Sequence, residues 1–145
     1  MNKKIAPDGY STVCPYLMVE SVEKELDFLQ TVFDAEIIEQ LHKPEGEVMH
    51  GEARIGDSVI MMGKSRSDWP AKESANYVYV ENVDEVFDRA IKYGAASMMR
   101  PANQFYGNRE AGFKDLQGNQ WWIAAQIEKV SVEEMEKRLA ERGKK

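Results

Sequence analysis

The chain has 145 residues and a formal net charge of −6, with 43% hydrophobic and 30% charged residues, which is typical of one small globular domain with its own core. The negative charge and the absence of a basic patch argue against nucleic acid as a partner. No apolar run approaches the roughly 20 residues of a membrane helix. The single cysteine, Cys14, rules out an intramolecular disulfide, and the Met-Asn-Lys-Lys start lacks the apolar core of a secretory signal. We therefore expect a cytoplasmic protein.

The first half of the chain predicts a strand, a helix and three antiparallel strands. Ser21 is placed to cap the helix, in which Val22, Leu26, Leu29 and Phe33 recur at spacings of three and four. Turns that contain glycine separate the later strands. The polar segment 64–72 has no periodicity and is interpreted as a linker. The strands are predicted over residues 11–19, 37–41, 48–55 and 58–62.

The same order of elements begins again after the linker. Strands are predicted over residues 76–80 and 96–100, and Asn82 with Glu85 forms a capping box for the helix between them. The sequence Val-Glu-Ser-Val before the first helix matches Val-Glu-Asn-Val before the second. An internal repeat fixes an architecture more firmly than any single propensity. The sequence therefore predicts an α+β fold with two βαβββ modules in one domain, at about residues 11–63 and 75–128 of 1–145.

The segment 105–126 supplies the last two strands of the second module. Its Asp-Leu-Gln-Gly turn precedes a Trp-Trp-Ile run that reads as a buried strand. The pair Asn108-Arg109 lies near Tyr106 and these tryptophans, and aromatic rings beside an arginine make a good wall for a small molecule. A charged helix capped by Ser131 is predicted over residues 131–143.

Three segments resemble the vicinal oxygen chelate superfamily of glyoxalases, bleomycin-resistance proteins and extradiol dioxygenases, and most closely its PhnB-like branch. They are CPYLMVESVEKELDFLQTVFDAE, EGEVMHGEARIGDSVIMMG and YGNREAGFKDLQGNQWWIA, and the resemblance covers residues 13–128. It implies the glyoxalase/bleomycin-resistance fold, in which two modules curl a mixed sheet into a cup that holds a ligand or a metal. It also implies a homodimer.

The resemblance places the four metal-ligand positions of the family at Cys14, Met61, Ala75 and Trp122. A divalent ion needs three or more N, O or S ligands, which a methyl group, an indole and a weak thioether do not supply. We therefore expect no retained metal and no other cofactor, and the interpretation leans away from an enzyme. His50 and Glu52 lie two apart on one strand, so they could bind one ion together, but such pairs are more often simply hydrogen-bonded.

Strand alternation assigns aromatic and charged residues to the concave face of the sheets. Arg109 would hold an anionic ligand or pair with Glu110, Glu52 or a partner subunit. Methionines are more often core than ligand-binding, because thioethers fill irregular gaps. Tyr77, Tyr79 and Trp122 would be ordinary core if the cup is collapsed. The predicted ligand-binding residues are Tyr16, His50, Glu52, Met61, Tyr77, Tyr79, Tyr106, Arg109 and Trp122.

Three functions remain open from the sequence. The leading one is a metal-free protein of the glyoxalase/bleomycin-resistance type that binds a small, partly aromatic molecule in its cup. The second is a metal-dependent lyase or dioxygenase-like enzyme with a displaced site at His50 and Glu52. The third is a structural or regulatory dimer whose cup is filled by its own side chains.

Overall fold

The computed structural model describes residues 5–143, and its elements follow the predicted order. The first module contains one helix among four strands, the second module repeats this arrangement, and a third helix follows. The elements are β1 (Tyr16–Val19), α1 (Val22–Phe33), β2 (Glu36–His42), β3 (Val48–Ile55) and β4 (Ser58–Lys64), then β5 (Ala75–Tyr79), α2 (Val83–Tyr93), β6 (Ala96–Asn103), β7 (Asn108–Lys114), β8 (Gln120–Gln126) and α3 (Val132–Arg142).

Each module forms a four-stranded mixed sheet. The strand order is β1-β4-β3-β2 in the first and β5-β8-β7-β6 in the second. In both sheets the first strand of the module pairs in parallel with the fourth, and the other neighbours are antiparallel. The predicted α+β fold of two βαβββ modules is confirmed. The described chain divides into two compact units, one containing residues up to Ser74 together with Gln117–Asn119, the other containing Ala75–Leu116 and the residues from Gln120 onward.

The helices begin where the sequence placed their caps. The side chain of Ser21 accepts a hydrogen bond from the backbone N–H of Lys24, and that of Asn82 accepts one from Glu85, so each satisfies a donor that the first helical turn leaves unpaired. Helices α1 and α2 each cover the sheet of their own module, α1 on β3 and α2 on β7. Among the described residues the longest helix has 12 residues, and none is both long and apolar enough to cross a membrane.

Strand β1 begins at Tyr16, five residues later than predicted. Pro15 has no N–H to donate to the ladder, although its carbonyl accepts a hydrogen bond from Met61 N at 2.9 Å. Strand β6 runs to Asn103, beyond the predicted end at residue 100, and it tolerates Pro101 because β6 is an edge strand with irregular register. The predicted linker contains a tight turn in which Arg66 and Trp69 exchange two backbone hydrogen bonds.

The two sheets share one register. Tyr16 on β1 is opposite Met61 on β4, and Tyr77 on β5 is opposite Trp122 on β8. Two residues further along the fourth strand, Gly63 is opposite His50 and Ala124 is opposite Glu110. His50 and Glu110 therefore occupy equivalent positions in the repeat. Glu52 and Gly112, opposite Met61 and Trp122, are equivalent in the same way.

The first unit contains a buried carboxylate that is held by an amide. Glu25 of α1 is 1% exposed, and Gln117 Nε2 donates to its Oε1 at 3.0 Å. The same amide donates to Ser21 O and accepts from Ser21 N–H, both at 2.8 Å. Gln117 thus satisfies polar groups at the helix start and inside the unit.

We expect Gln117→Ala to lower the free energy of unfolding by about 2–3 kcal/mol, because it removes a donor from a buried carboxyl group and from the backbone at the start of α1. Urea denaturation of purified protein would measure the loss. Gln30→Ala, on the exposed side of α1, is the matched control and should change stability by about 0.5 kcal/mol or less. Equal losses in the two variants would show that the amide contacts do not stabilise the fold.

Candidate functional site

In the first unit, four side chains form a continuous hydrogen-bonded chain, which we call the polar chain: Tyr16, His50, Glu52 and Tyr10. The hydroxyl of Tyr16 lies 3.3 Å from His50 Nδ1, and His50 Nε2 lies 2.8 Å from Glu52 Oε2. The hydroxyl of Tyr10 donates to the other oxygen, Oε1, of Glu52. These contacts are consistent with a His50 tautomer that accepts at Nδ1 and donates at Nε2.

The polar chain is arranged around a buried carboxylate. Glu52 is 5% exposed. Burial raises the pKa of its carboxyl, but hydrogen bonds from His50 and Tyr10 outweigh burial and hold the pKa below its usual value. The same hydrogen bond to Glu52 raises the pKa of Tyr10 to about 12. At neutral pH the polar chain therefore contains Glu52 as a carboxylate and Tyr10 as a neutral phenol.

A cleft of about 440 Å³ lies beside Tyr16 in the first unit. It combines two aromatic rings, two thioethers and two cationic side chains. Tyr16 lies directly over Gly63, where a Cβ would be 2.6 Å from the tyrosine hydroxyl, so a side chain at that position would displace the ring. The lining residues are Tyr16, Met18, Met49, Gly63, Lys64, Arg66 and Trp69.

In the second unit, a buried glutamate is clamped by two tyrosines. Glu110 is 7% exposed, and its two carboxylate oxygens accept hydrogen bonds from Tyr77 and Tyr106. Asn108 Nδ2 donates to the Tyr77 hydroxyl at 3.1 Å, and the Tyr79 ring packs edge-on against Tyr77 with centroids 5.5 Å apart. Burial, followed by the hydrogen bond to Glu110, raises the pKa of Tyr77 to about 12, and the same causes raise that of Tyr106.

Arg109 does not join this cluster. It forms a bidentate pair with Asp84 of α2, at 2.7 and 2.8 Å, and its Nη1 donates to Asn103 Oδ1 at 3.0 Å. The neighbouring residue Glu110 carries the tyrosine contacts, and alternate strand residues face opposite sides of a sheet. The pairing of Arg109 with Glu110 that the sequence offered as one alternative is therefore wrong, and its carboxylate partner Asp84 lies on the helix side. The hydrogen bond from Arg109 lowers the pKa of Asp84.

The residues at the family's metal-ligand positions do not fit a metal. Cys14 Sγ donates to Ser11 O at 3.4 Å, Met61 offers only a thioether, and Ala75 has no donor atom. The ring of Trp122 lies over Gly112, where a Cβ would be 2.5 Å from the indole, and its Nε1 donates to Gln120 Oε1 at 3.3 Å. A thiol, a thioether, a methyl group and an indole N–H do not make a divalent-ion site.

The structure brings Tyr16, His50 and Glu52 together in one unit, and Tyr77 and Tyr106 together in the other. Met61 lies on the first sheet opposite both Tyr16 and Glu52. Sequence reasoning missed residues that lie outside the repeated strands or whose partners are distant in the chain. One signal was available, because a tryptophan in a polar linker needs an explanation. The missed residues are Tyr10, Glu39, Met49, Lys64, Arg66 and Trp69.

The two tyrosines that donate to Glu110 should ionise at a higher pH than an ordinary tyrosine. A pKa raised from 10.0 to about 12 at Tyr77 means that its stabilising contribution is fully present below about pH 10 and is lost as pH rises through about 12. Ultraviolet titration of the folded protein should show phenolate absorbance still incomplete at about pH 11. Glu110→Gln should shift part of it to lower pH, whereas Glu81→Gln, an exposed control, should not. A single step near pH 10 in the folded protein would contradict the assignment.

Residues 11–123 match the Glyoxalase/Bleomycin resistance protein/Dioxygenase superfamily. The fold is similar to that of TioX from Micromonospora sp. ML1, with a TM-score of 0.70 and 20% identity over 81% of this chain and 99% of TioX. For a PhnB protein from Bacillus cereus the TM-score is 0.66 and the identity is 20%, over 79% of this chain and 99% of that protein. For the fosfomycin resistance protein FosX from Listeria monocytogenes, in complex with Mn(II) and sulfate, the TM-score is 0.63. The identity is 23% over 89% of this chain and 97% of FosX. As the resemblance predicted, the chain belongs to the Glyoxalase/Bleomycin resistance protein/Dioxygenase superfamily.

Proposed function

We propose that the protein binds a small anionic molecule with an aromatic part in the cleft of its first unit, without a metal ion in contact with that molecule. The observation that carries this proposal is a cleft of about 440 Å³ that combines Tyr16 and Trp69 with Lys64 and Arg66. Ligand sites are typically clefts of about 300–1,000 Å³ with apolar walls and a few polar groups. Such a volume favours a binding protein over a dimer whose cup is filled by its own side chains.

The aromatic and thioether residues supply the apolar wall. Trp69 is 58% exposed. Stacking a ligand ring on this indole would remove apolar surface from water and so would stabilise the complex. Met18 and Met49 are flexible and polarisable, so they adapt to ligands of irregular shape. The wall therefore accounts for affinity toward a flat apolar group.

The cations of the cleft account for a negative charge on the ligand. Both cations lie within reach of carboxylates, since Lys64 Nζ is 4.0 Å from Glu47 and Arg66 Nε is 3.3 Å from Asp68. These are partly exposed ion pairs of small net value, so a ligand carboxylate or phosphate can compete for the same donors. The chain as a whole carries −6, which makes a cleft with two lining cations and no lining carboxylate a distinct local environment.

We expect 2-naphthoate to bind more tightly than the neutral 2-naphthamide, which has the same ring system. In the Lys64→Met/Arg66→Met double variant, naphthoate should lose about tenfold or more in affinity while naphthamide changes little, because only the anion forms charge-assisted hydrogen bonds. Trp69→Ala should weaken the binding of both probes. Calorimetry would measure the affinities, and EDTA in the buffer would exclude any contribution from a divalent ion.

The Lys24→Met/Lys43→Met double variant, at two exposed positions, is the matched control and removes two positive charges outside the cleft. Equal losses in this control and in the Lys64→Met/Arg66→Met variant would mean that bulk charge governs binding. Equal affinity of the unmodified protein for the two probes would show that the cleft does not select anions.

Two further expectations remain part of the proposal. The family resemblance predicts a homodimer, and the sequence composition predicts a cytoplasmic location. Sedimentation equilibrium should then give twice the chain mass of 16.6 kDa at micromolar concentration, and a mass of one chain would contradict the dimer.

A further inference from the structure

One cluster of possible metal ligands lies outside the family's metal-ligand positions. Glu39 on β2 is directly opposite Glu52 on β3, and His50 precedes Glu52 by two residues on the same face. Within the described part of the chain, residues 5–143, these three form the one group of at least three histidine, cysteine or acidic side chains whose donor atoms all lie within 4.8 Å of one another. Glu39 thus adds a third donor, which the sequence did not indicate, to the predicted pair of His50 and Glu52.

The distances suit a small divalent ion. His50 Nε2 lies 2.8 Å from Glu52 Oε2 and 3.7 Å from Glu39 Oε2. Two donors at about 2.1 Å from a tetrahedral ion lie about 3.4 Å apart, which falls between the two observed distances. Glu39 has a side chain that is 54% exposed, so it can adjust, and solvent is available for the fourth coordination position.

The two inner ligands are also oriented from behind. Tyr16 contacts Nδ1 of His50, the ring nitrogen that would not face the ion. An ion at Nε2 requires the tautomer protonated at Nδ1, which would donate to the Tyr16 oxygen, the reverse of the tautomer that suits the hydrogen bond to Glu52 without an ion. Tyr10 donates to Oε1 of Glu52, which leaves Oε2 directed toward His50. Protein metal sites commonly hold their histidine and carboxylate ligands in this way, through hydrogen bonds to the atoms that do not bind the metal.

Charge provides a further argument for a cation here. Two carboxylates directly opposite each other on neighbouring strands repel, and this pairing is destabilising unless a positive charge lies between them. The donor set of one imidazole and two carboxylates is borderline in softness, which suits zinc better than calcium or magnesium, since these prefer oxygen ligands alone.

We propose that Glu39, His50 and Glu52 bind one divalent ion of the zinc type on the face of the first sheet. This proposal departs from the expectation of no metal, which rested on Cys14, Met61, Ala75 and Trp122. It goes beyond the proposed ligand binding, because none of the three ligands lines the cleft. Tyr16 belongs to both, so an occupied site would fix the position of one cleft wall.

The experiment titrates Zn²⁺ into tag-free protein dialysed against EDTA and then freed of the chelator, with Co²⁺ as a spectroscopic probe. The expected result is one ion per chain, with the visible bands of tetrahedral Co²⁺. His50→Ala should abolish binding, whereas His42→Ala should retain it. These are the two histidines of the chain, so the pair separates this site from histidine-dependent surface binding. Loss of binding in both variants, or in neither, would overturn the proposal.

Substitutions of the exposed and supporting residues keep the test valid if His50→Ala does not fold. Glu39→Gln should weaken Zn²⁺ binding by about tenfold or more, and Tyr10→Phe should weaken it by about tenfold through loss of the contact to Glu52. Glu36→Gln, on the same strand as Glu39 and paired with Arg54 at 3.6 Å, is the charge-matched control and should leave affinity unchanged. Equal effects of Glu36→Gln and Glu39→Gln, or no stoichiometric binding in the unmodified protein, would also overturn the proposal.

The same protein separates this inference from the proposed function. Naphthoate binding measured with EDTA tests the cleft without the ion, and Zn²⁺ binding measured without naphthoate tests the ion without the cleft. Failure of one result leaves the other standing.

Discussion

The parallel pairing of the first and fourth strands in each unit determines which side chains of the candidate sites can meet. Since the fourth strand lies between the first and the third, a tyrosine on the first strand must reach across it to contact the third. Gly63 and Ala124 occupy equivalent positions on the fourth strands, opposite His50 and Glu110 respectively. Both are small, and the tyrosine hydroxyls therefore reach His50 in one unit and Glu110 in the other.

The two units then use this shared geometry differently. In the first, the residue opposite Met61 is Glu52, and it extends the polar chain from His50 to Tyr10. In the second, the equivalent residue is Gly112, and the indole of Trp122 lies over it. A carboxylate beside the histidine makes ion binding feasible in the first unit. An aromatic ring over glycine gives the second unit a packed surface with one clamped carboxylate.

The binding proposed for the first unit depends on residues from outside the repeat as well as within it. The repeat supplies Tyr16 and Met18, whereas the residues after β4 supply Arg66 and Trp69 to the same cleft. The turn that joins Arg66 to Trp69 through two backbone hydrogen bonds fixes the start of this segment. Loops positioned by a rigid scaffold commonly carry binding residues in this way, because their sequence is free of the packing constraints on strands.

The sequence by itself determined the order of the elements, the three helix caps and the division of each strand into two faces. These features depend on residues close together in the chain, since caps act over three residues and strand faces alternate every two. The internal repeat then fixed the architecture, and His50 and Glu52 emerged as a pair because they are neighbours on one strand. Local pattern was sufficient for all of these predictions.

Only the tertiary structure decided which distant side chains come together. Glu39 meets His50 through the register of β2 against β3, and that register contains irregularities that no sequence pattern indicated. Tyr10 reaches Glu52 from the segment before β1, 42 residues away in sequence. Arg109 pairs with Asp84 because strand alternation turns it toward α2, whereas its sequence neighbours had suggested a ligand. Contacts of this kind depend on register and on the path of the chain, which are set by packing over the whole unit rather than by the nearby residues.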